Sequence, residues 1–163
     1  MNNLKLMDEE IQAVQYCWLQ IDVPYLDVVL EDDNLQPYFS FLKDHRVVEI
    51  GPGKNPIIKH YDCKEYIAAL GYYPHDGLSV LKKEDDASAV VVSFGVIDDS
   101  VLKNLPSQKS LSSKYIEELV EEIWRVMNPF GIIFGRDAQK YMGEPNIPVI
   151  DYYPIAGGIY FPR

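Results

Sequence analysis

Apolar residues recur along the chain in two patterns, one typical of strands and one typical of helices. Short runs of branched or aromatic residues, each bounded by turn-forming residues, predict strands. These runs lie at 46–50, 65–70, 89–97 and 131–135. The run at 89–97, AVVVSFGVI, is apolar almost throughout. Such continuous apolarity is typical of a strand covered on both faces, as in a parallel sheet.

The clearest helix follows this long apolar run. Its apolar residues, at helical spacing, are Ile116, Leu119, Val120, Ile123 and Met127. The charged residues between them fall on the opposite side, so the pattern predicts an amphipathic helix that faces the core. Ser112 or Ser113 is expected to cap its first turn. Shorter helices are expected at 8–19, 36–43, 56–61, 77–83 and 138–142.

The end of the chain predicts a β-hairpin. The runs 147–153 and 159–161 flank the turn residues Ala156, Gly157 and Gly158. Strands that alternate with helices and then end in a hairpin predict an α/β three-layer sandwich, with a mostly parallel sheet and an antiparallel edge. No repeat or linker divides the 163 residues, so we expect a single domain, 1–163, in which residues 1–44 form a helical segment that packs on the sheet or caps it.

Charge and composition narrow the expected partners. The chain has 25 acidic and 15 basic side chains, which give a formal net charge of −10. Such a charge repels nucleic-acid backbones and anionic lipid, so neither is an expected partner. No apolar run reaches the roughly 18 residues of a membrane span, and a cytoplasmic protein is therefore expected. The three histidines and two cysteines do not have ligand spacing, so no metal site is predicted.

One stretch, RVVEIGPGKNP at 46–56, joins a strand to a glycine turn. Glu49 lies near the end of the strand, and Gly51-Pro52-Gly53 follows directly. Asn55 is the expected N-cap of the next helix, with Pro56 at its first position. Open α/β sheets hold ligands at such turns, because glycine lets backbone N–H groups approach the ligand. The alternative is an ordinary strand-to-helix turn that contains two glycines.

Three stretches in this order resemble the class I S-adenosylmethionine-dependent methyltransferase family. They read VVEIGPGKNP, AVVVSFGVID and YIEELVEEIWRVMNPFGIIFGRD, and the resemblance covers residues 46–161. It implies a sheet whose last two strands form a hairpin, with S-adenosylmethionine lying across the carboxyl ends of the first strands. Residues 71–88, between the second strand and the buried run, leave room for one helix. The third strand of the family is therefore expected to be missing.

The resemblance also assigns a cofactor site. Glu49, Gly51 and Gly53 match the acidic, glycine-containing signature beside the methionine part of the cofactor, and Pro52 and Asn55 belong to the same turn. Asp76 resembles the acid on the adenine side, with a surface turn as the alternative. The positions nearest the donor methyl group are Ser93, Phe94 and Gly95. No catalytic residue is assigned, because transfer from a sulfonium requires mainly orientation in a dry pocket.

Two functions of different class remain open. The first is a methyltransferase that acts on a small molecule or a protein side chain, with a homo-oligomer as one way to complete the acceptor pocket. The second is a catalytically inactive methyltransferase-fold module for binding or interaction. It is favoured by the absence of an acid at Ala69-Leu70-Gly71, where the family binds the ribose. A nicotinamide dinucleotide site is disfavoured, because Pro56 stands where its third glycine is required.

Overall fold

The computed structural model describes residues 39–52, 56–70, 74–94, 96–97, 109–127, 131–134, 139–142, 149–150, 153–155 and 158–160. The strands within these ranges are β1 (Arg46–Ile50), β2 (Glu65–Ala69), β3 (Val90–Phe94), β4 (Gly131–Phe134), β5 (Val149–Ile150), β6 (Tyr153–Ile155) and β7 (Gly158–Tyr160). The helices are α1 (Gly77–Leu81), α2 (Lys109–Val126) and α3 (Gln139–Met142), and short 3₁₀ turns span Phe41–Asp44 and Ile57–Lys59.

Five strands form a parallel sheet in the order β2-β1-β3-β4-β5. The chain moves outward from β1 to β2 and then crosses back to β3 on the other side of β1. The strand order therefore reverses between β1 and β3. In open α/β sheets this reversal opens a crevice at the carboxyl ends of the two strands, where ligands bind. The predicted α/β fold with a parallel sheet is confirmed.

Both faces of the sheet are covered, as the long apolar run predicted. One face carries Val48, Ile50 and Val91, which share a core with α1 and α2. On the other face Val47 and Val92 are also fully buried. Because alternate residues of a strand point to opposite faces, burial of successive residues requires cover on both sides.

The C-terminal strands do not form the predicted antiparallel edge of this sheet. Val149–Ile150 pairs in parallel with β4, whereas β6 and β7 pair with each other in a separate two-stranded antiparallel sheet. The single strand predicted over 147–153 is therefore wrong. The two parts of that run pair with different strands. Local hydrophobicity does not determine which strands pair.

The bounds of the helices correct three further predictions. Helix α2 begins at Lys109, so Ser112 and Ser113 lie inside the helix and do not cap it. The helix predicted at 56–61 is only the 3₁₀ turn Ile57–Lys59. Of the helix predicted at 36–43, residues 39–40 are helical and the 3₁₀ turn Phe41–Asp44 follows. The helix predicted at 8–19 lies outside the described residues. No helix among the described residues is long and apolar enough to span a membrane.

Candidate functional site at the carboxyl ends of β1 and β3

The glycine turn leaves the sheet at the reversal point. Ile50, the last residue of β1, is aligned with Ala69 of β2 and Ser93 of β3. Gly51 follows with φ +64°, and its N–H donates to the Ala69 carbonyl at 2.9 Å. A Cβ at Gly51 would lie 2.6 Å from Cγ2 of Val96. The position therefore requires glycine both for its backbone conformation and for the space beside it. Pro52 follows and is partly exposed.

Glu49 is engaged by groups of the chain itself. Only 1% of this residue is exposed. Its Oε2 accepts hydrogen bonds from the Ile57 N–H at 2.9 Å and from the Tyr66 hydroxyl at 2.6 Å. Burial raises the pKa of the Glu49 carboxyl, and the two hydrogen bonds oppose that change. Burial, together with the hydrogen bond to Glu49, raises the pKa of Tyr66. The tyrosine hydroxyl is the proton donor in the pair.

The helix N-terminus predicted after the turn is replaced by a single 3₁₀ turn. Pro56 has φ −65° and ψ 147°, so it precedes this turn in an extended conformation and is not its first helical residue. A 3₁₀ turn of three residues lacks the aligned peptide dipoles that attract an anion to an α-helix. Its first N–H, from Ile57, is already bonded to Glu49. Gly53 and Asn55, the other residues predicted in this turn, lie outside the described residues.

Asp76 is a buried helix cap, and the surface turn considered for it is wrong. The residue is 1% exposed and is the N-cap of α1. Its Oδ2 accepts from the Ser79 N–H at 3.1 Å and from the Tyr115 hydroxyl at 3.2 Å. Its Oδ1 is buried and has no hydrogen-bond partner within the described part of the chain. Gly77, the next residue, lies against β1, since a Cβ there would be 2.8 Å from Cγ2 of Ile50.

Ser93 carries a second unpartnered oxygen. It is fully buried in β3, and its Oγ has no hydrogen-bond partner among the residues described. In the register of the sheet it lies beside Ile50 and points to the same face, which α1 and α2 cover. Phe94 ends β3 opposite Phe134 of β4, and Gly95 lies outside the described residues.

The two unpartnered oxygens therefore belong to one region. Asp76 precedes the helix that touches Ile50, and Ser93 is aligned with Ile50 in the neighbouring strand. A buried polar atom without a partner costs free energy, so such atoms are rare in folded proteins and require an explanation. Binding of a polar ligand is one such explanation. Two tyrosines of this region, Tyr66 and Tyr115, carried no signal in the sequence, because only the folded chain brings them to Glu49 and Asp76.

The amino ends of the strands carry a different chemistry. Arg46 binds both carboxylate oxygens of Glu84, with Nε–Oε2 2.8 Å and Nη2–Oε1 3.0 Å, and also pairs with Glu65. Arg125 donates to the Leu81 and Glu84 carbonyls and to two carboxylates. The guanidinium groups of both arginines are hydrogen-bonded to acceptors of the chain, several of them in the loop before β3. The charged residues at this end of the sheet therefore have a structural role.

Comparison of the chain with protein-family models, with curated proteins and with solved structures gives no significant match. Within the described residues, no group of three or more histidine, cysteine or acidic side chains is arranged to hold a metal ion. The features that bear on function are thus the strand order, the Gly51 turn and the two unpartnered oxygens.

Proposed function

We propose that the chain is a methyltransferase-like protein that binds S-adenosylmethionine at the carboxyl ends of β1 and β3. The observation that supports this most lies at the reversal point of the sheet, where a positive-φ glycine turn coincides with two buried oxygens, Asp76 Oδ1 and Ser93 Oγ. Neither oxygen has a hydrogen-bond partner among the residues that the structure describes. A ligand at this point follows the general rule for open parallel sheets.

The donor and acceptor groups of the cofactor fit these two atoms. S-adenosylmethionine carries an ammonium group, two ribose hydroxyls and an adenine amino group, all of which donate hydrogen bonds. Asp76 Oδ1 accepts such bonds, and a serine hydroxyl such as Ser93 Oγ both accepts and donates. When bound, the cofactor supplies an electrophilic methyl group. The protein then needs to orient the acceptor, a small molecule or a protein side chain, and to exclude water.

Two observations favour a second function, an inactive binding module with the same fold. They concern the hydrogen bonds of Glu49 and the residues at the end of β2. The Glu49 carboxylate is occupied by Ile57 and Tyr66. No acid follows β2, where Ala69 and Leu70 stand. Binding without turnover would distinguish this module from an enzyme. In both proposals the cofactor occupies the same site.

Thermal unfolding in the presence of S-adenosylmethionine, or of its demethylated product S-adenosylhomocysteine, tests the proposal. At 100 times the dissociation constant a ligand stabilises the native state by about 2.7 kcal/mol. For a domain of this size that is a rise in Tm of roughly 5–10 °C. Adenosine and methionine, each added alone, are the ligand controls.

Two serine variants locate the site. Ser93→Ala is expected to reduce the shift in Tm, because the hydroxyl would bind the ligand. Ser88→Ala is the matched control, since the Ser88 hydroxyl donates to the Asp85 carbonyl at the amino end of β3. The rise in Tm that the ligand causes in Ser88→Ala should equal that of the unmodified protein. Absence of a shift with either cofactor form would remove the proposal. An equal loss in both serine variants would move the site away from Ser93.

A further inference from the structure

We infer that Glu49, held by Tyr66, is a positioning residue that anchors the glycine turn and does not contact the ligand. The inference rests on the proposed function in one respect, namely that this turn belongs to the cofactor site. The resemblance to methyltransferases instead placed Glu49 beside the methionine part of the cofactor. The geometry and the hydrogen bonds of Glu49 separate the two roles.

Two hydrogen bonds from described residues converge on one oxygen of Glu49. Oε2 accepts from the Ile57 N–H and from the Tyr66 hydroxyl at 2.9 Å and 2.6 Å. Ile57 is the first residue of the 3₁₀ turn that follows the glycine turn, and it is 1% exposed. The bond therefore ties the end of the turn back to β1, the strand from which the turn began.

The start of the turn is held as firmly as its end. The Gly51 N–H donates to the Ala69 carbonyl at 2.9 Å, so the chain leaves β1 while still bonded to β2. Tyr66 belongs to that same strand, and its register partner is Val47, two residues before Glu49 on the same face. The tyrosine therefore reaches Glu49 along the sheet. Strands β1 and β2 together fix both ends of the segment between Gly51 and Ile57.

Hydrogen-bonding capacity gives the second reason. Burial raises the pKa of the Glu49 carboxyl, and within the described part of the chain the Tyr66 hydroxyl and the Ile57 N–H oppose this change. The two hydrogen bonds from the chain occupy both lone pairs of Glu49 Oε2, so this oxygen has no position left for the ammonium of a ligand. Asp76 differs, because it has a buried oxygen without a partner in the described residues. The acid available to a ligand at this edge is therefore Asp76.

The convergence on one oxygen makes the inference testable by Glu49→Gln. Glutamine keeps a carbonyl oxygen that accepts both bonds but has no charge. An anchor should survive this substitution, whereas a contact to the ammonium of the cofactor should not. Glu49→Ala removes the anchor in either case. Tyr66→Phe keeps the ring and loses only the hydroxyl, so it provides a milder variant that is expected to fold.

The measurement is hydrogen exchange of the Ile57 amide by NMR, together with titration of S-adenosylhomocysteine. In Glu49→Ala the amide should exchange roughly ten- to a hundredfold faster, because a hydrogen bond to a charged acceptor is lost. Tyr66→Phe should speed it less, and Glu49→Gln should leave it close to the unmodified rate. Tyr115→Phe is the matched control: it removes a tyrosine bond to the other buried acid, Asp76, and should leave Ile57 unchanged.

The two readouts separate the inference from the proposed function. An Ile57 rate unchanged in Glu49→Ala and Tyr66→Phe would overturn the anchor. A protected Ile57 amide in Glu49→Gln with lost binding of S-adenosylhomocysteine would also overturn it, since the charge would then serve the ligand. If the unmodified protein fails to bind either cofactor form while Ile57 responds as expected, the proposed function fails and the anchoring role stands.

Discussion

Gly51→Ala is the substitution whose cost follows most directly from the geometry of the turn. The residue has φ +64°, a region that costs an L-residue with a Cβ about 1–2 kcal/mol. The new Cβ would also lie 2.6 Å from Cγ2 of Val96, closer than carbon atoms pack. Forcing an extra methyl group into a packed site costs about 1–3 kcal/mol. Together these effects predict that the free energy of unfolding falls by about 2–5 kcal/mol.

A double-mutant cycle separates the two causes. Val96→Ala removes the methyl group that the new Cβ would meet, so in that background Gly51→Ala should cost only the backbone part, about 1–2 kcal/mol. Urea unfolding of the four proteins gives the coupling energy between the two positions, which should be about 1–3 kcal/mol in favour of the double variant. Additive effects would show that Val96 does not limit the space beside Gly51. A cost below about 0.5 kcal/mol for Gly51→Ala would contradict both causes.

Three further predictions concern other parts of the same structure. Ser93→Ala removes a buried hydroxyl that has no partner in the described residues. The free energy of unfolding of the ligand-free protein, measured with urea, should therefore rise by about 1 kcal/mol. A clear fall would mean that the hydroxyl is hydrogen-bonded. Burial raises the pKa of Glu49 in the folded state, so stability should be highest below the pKa of the unfolded chain and should fall as pH rises through the folded-state pKa. Glu49→Gln should remove that fall, and an unchanged pH profile of stability would contradict it. Arg125→Lys replaces a guanidinium that donates to two carbonyls and two carboxylates. Lysine cannot make all these bonds, so the free energy of unfolding, measured by thermal unfolding, should fall by about 1–3 kcal/mol. Lys82→Met removes one partly buried 3.3 Å pair with Glu118 and should cost less than Arg125→Lys. Equal losses in the two variants would contradict the role given to Arg125.

The strands of the main sheet were largely predictable from local pattern. The predicted first strand, 46–50, has the observed bounds Arg46–Ile50, and Val90–Phe94 lies within the predicted 89–97. The run at 89–97 is apolar almost throughout, and residues 46–50 carry three branched apolar residues directly before a glycine turn, so the local pattern identifies both strands. The core-facing side of α2 was predictable for the same reason. Its first turn was not, because the apolar spacing begins only at Ile116.

The pairing of strands and the contacts of the site depend on register, which the sequence does not display. Tyr66 reaches Glu49 because β2 aligns it with Val47, and Tyr115 reaches Asp76 because α2 packs on α1. Both contacts join residues far apart in the chain. For Glu49 the sequence showed an acid near the end of β1, but its partners were found only in the folded chain. For Asp76 the local turn residues suggested exposure, whereas packing of α1 on β1 buries the carboxylate.

Backbone NMR with added S-adenosylhomocysteine tests whether the cofactor binds at this edge of the sheet, because it reports both binding and its location. We expect saturable chemical-shift changes centred on the amides of Gly51 and Ser93, at the carboxyl ends of β1 and β3, and of Gly77, at the start of α1. The amides of Arg46 and Val90, at the amino ends of the same strands, should change little. Spectra that do not change at saturating ligand, or changes centred on the amino ends, would contradict this expectation.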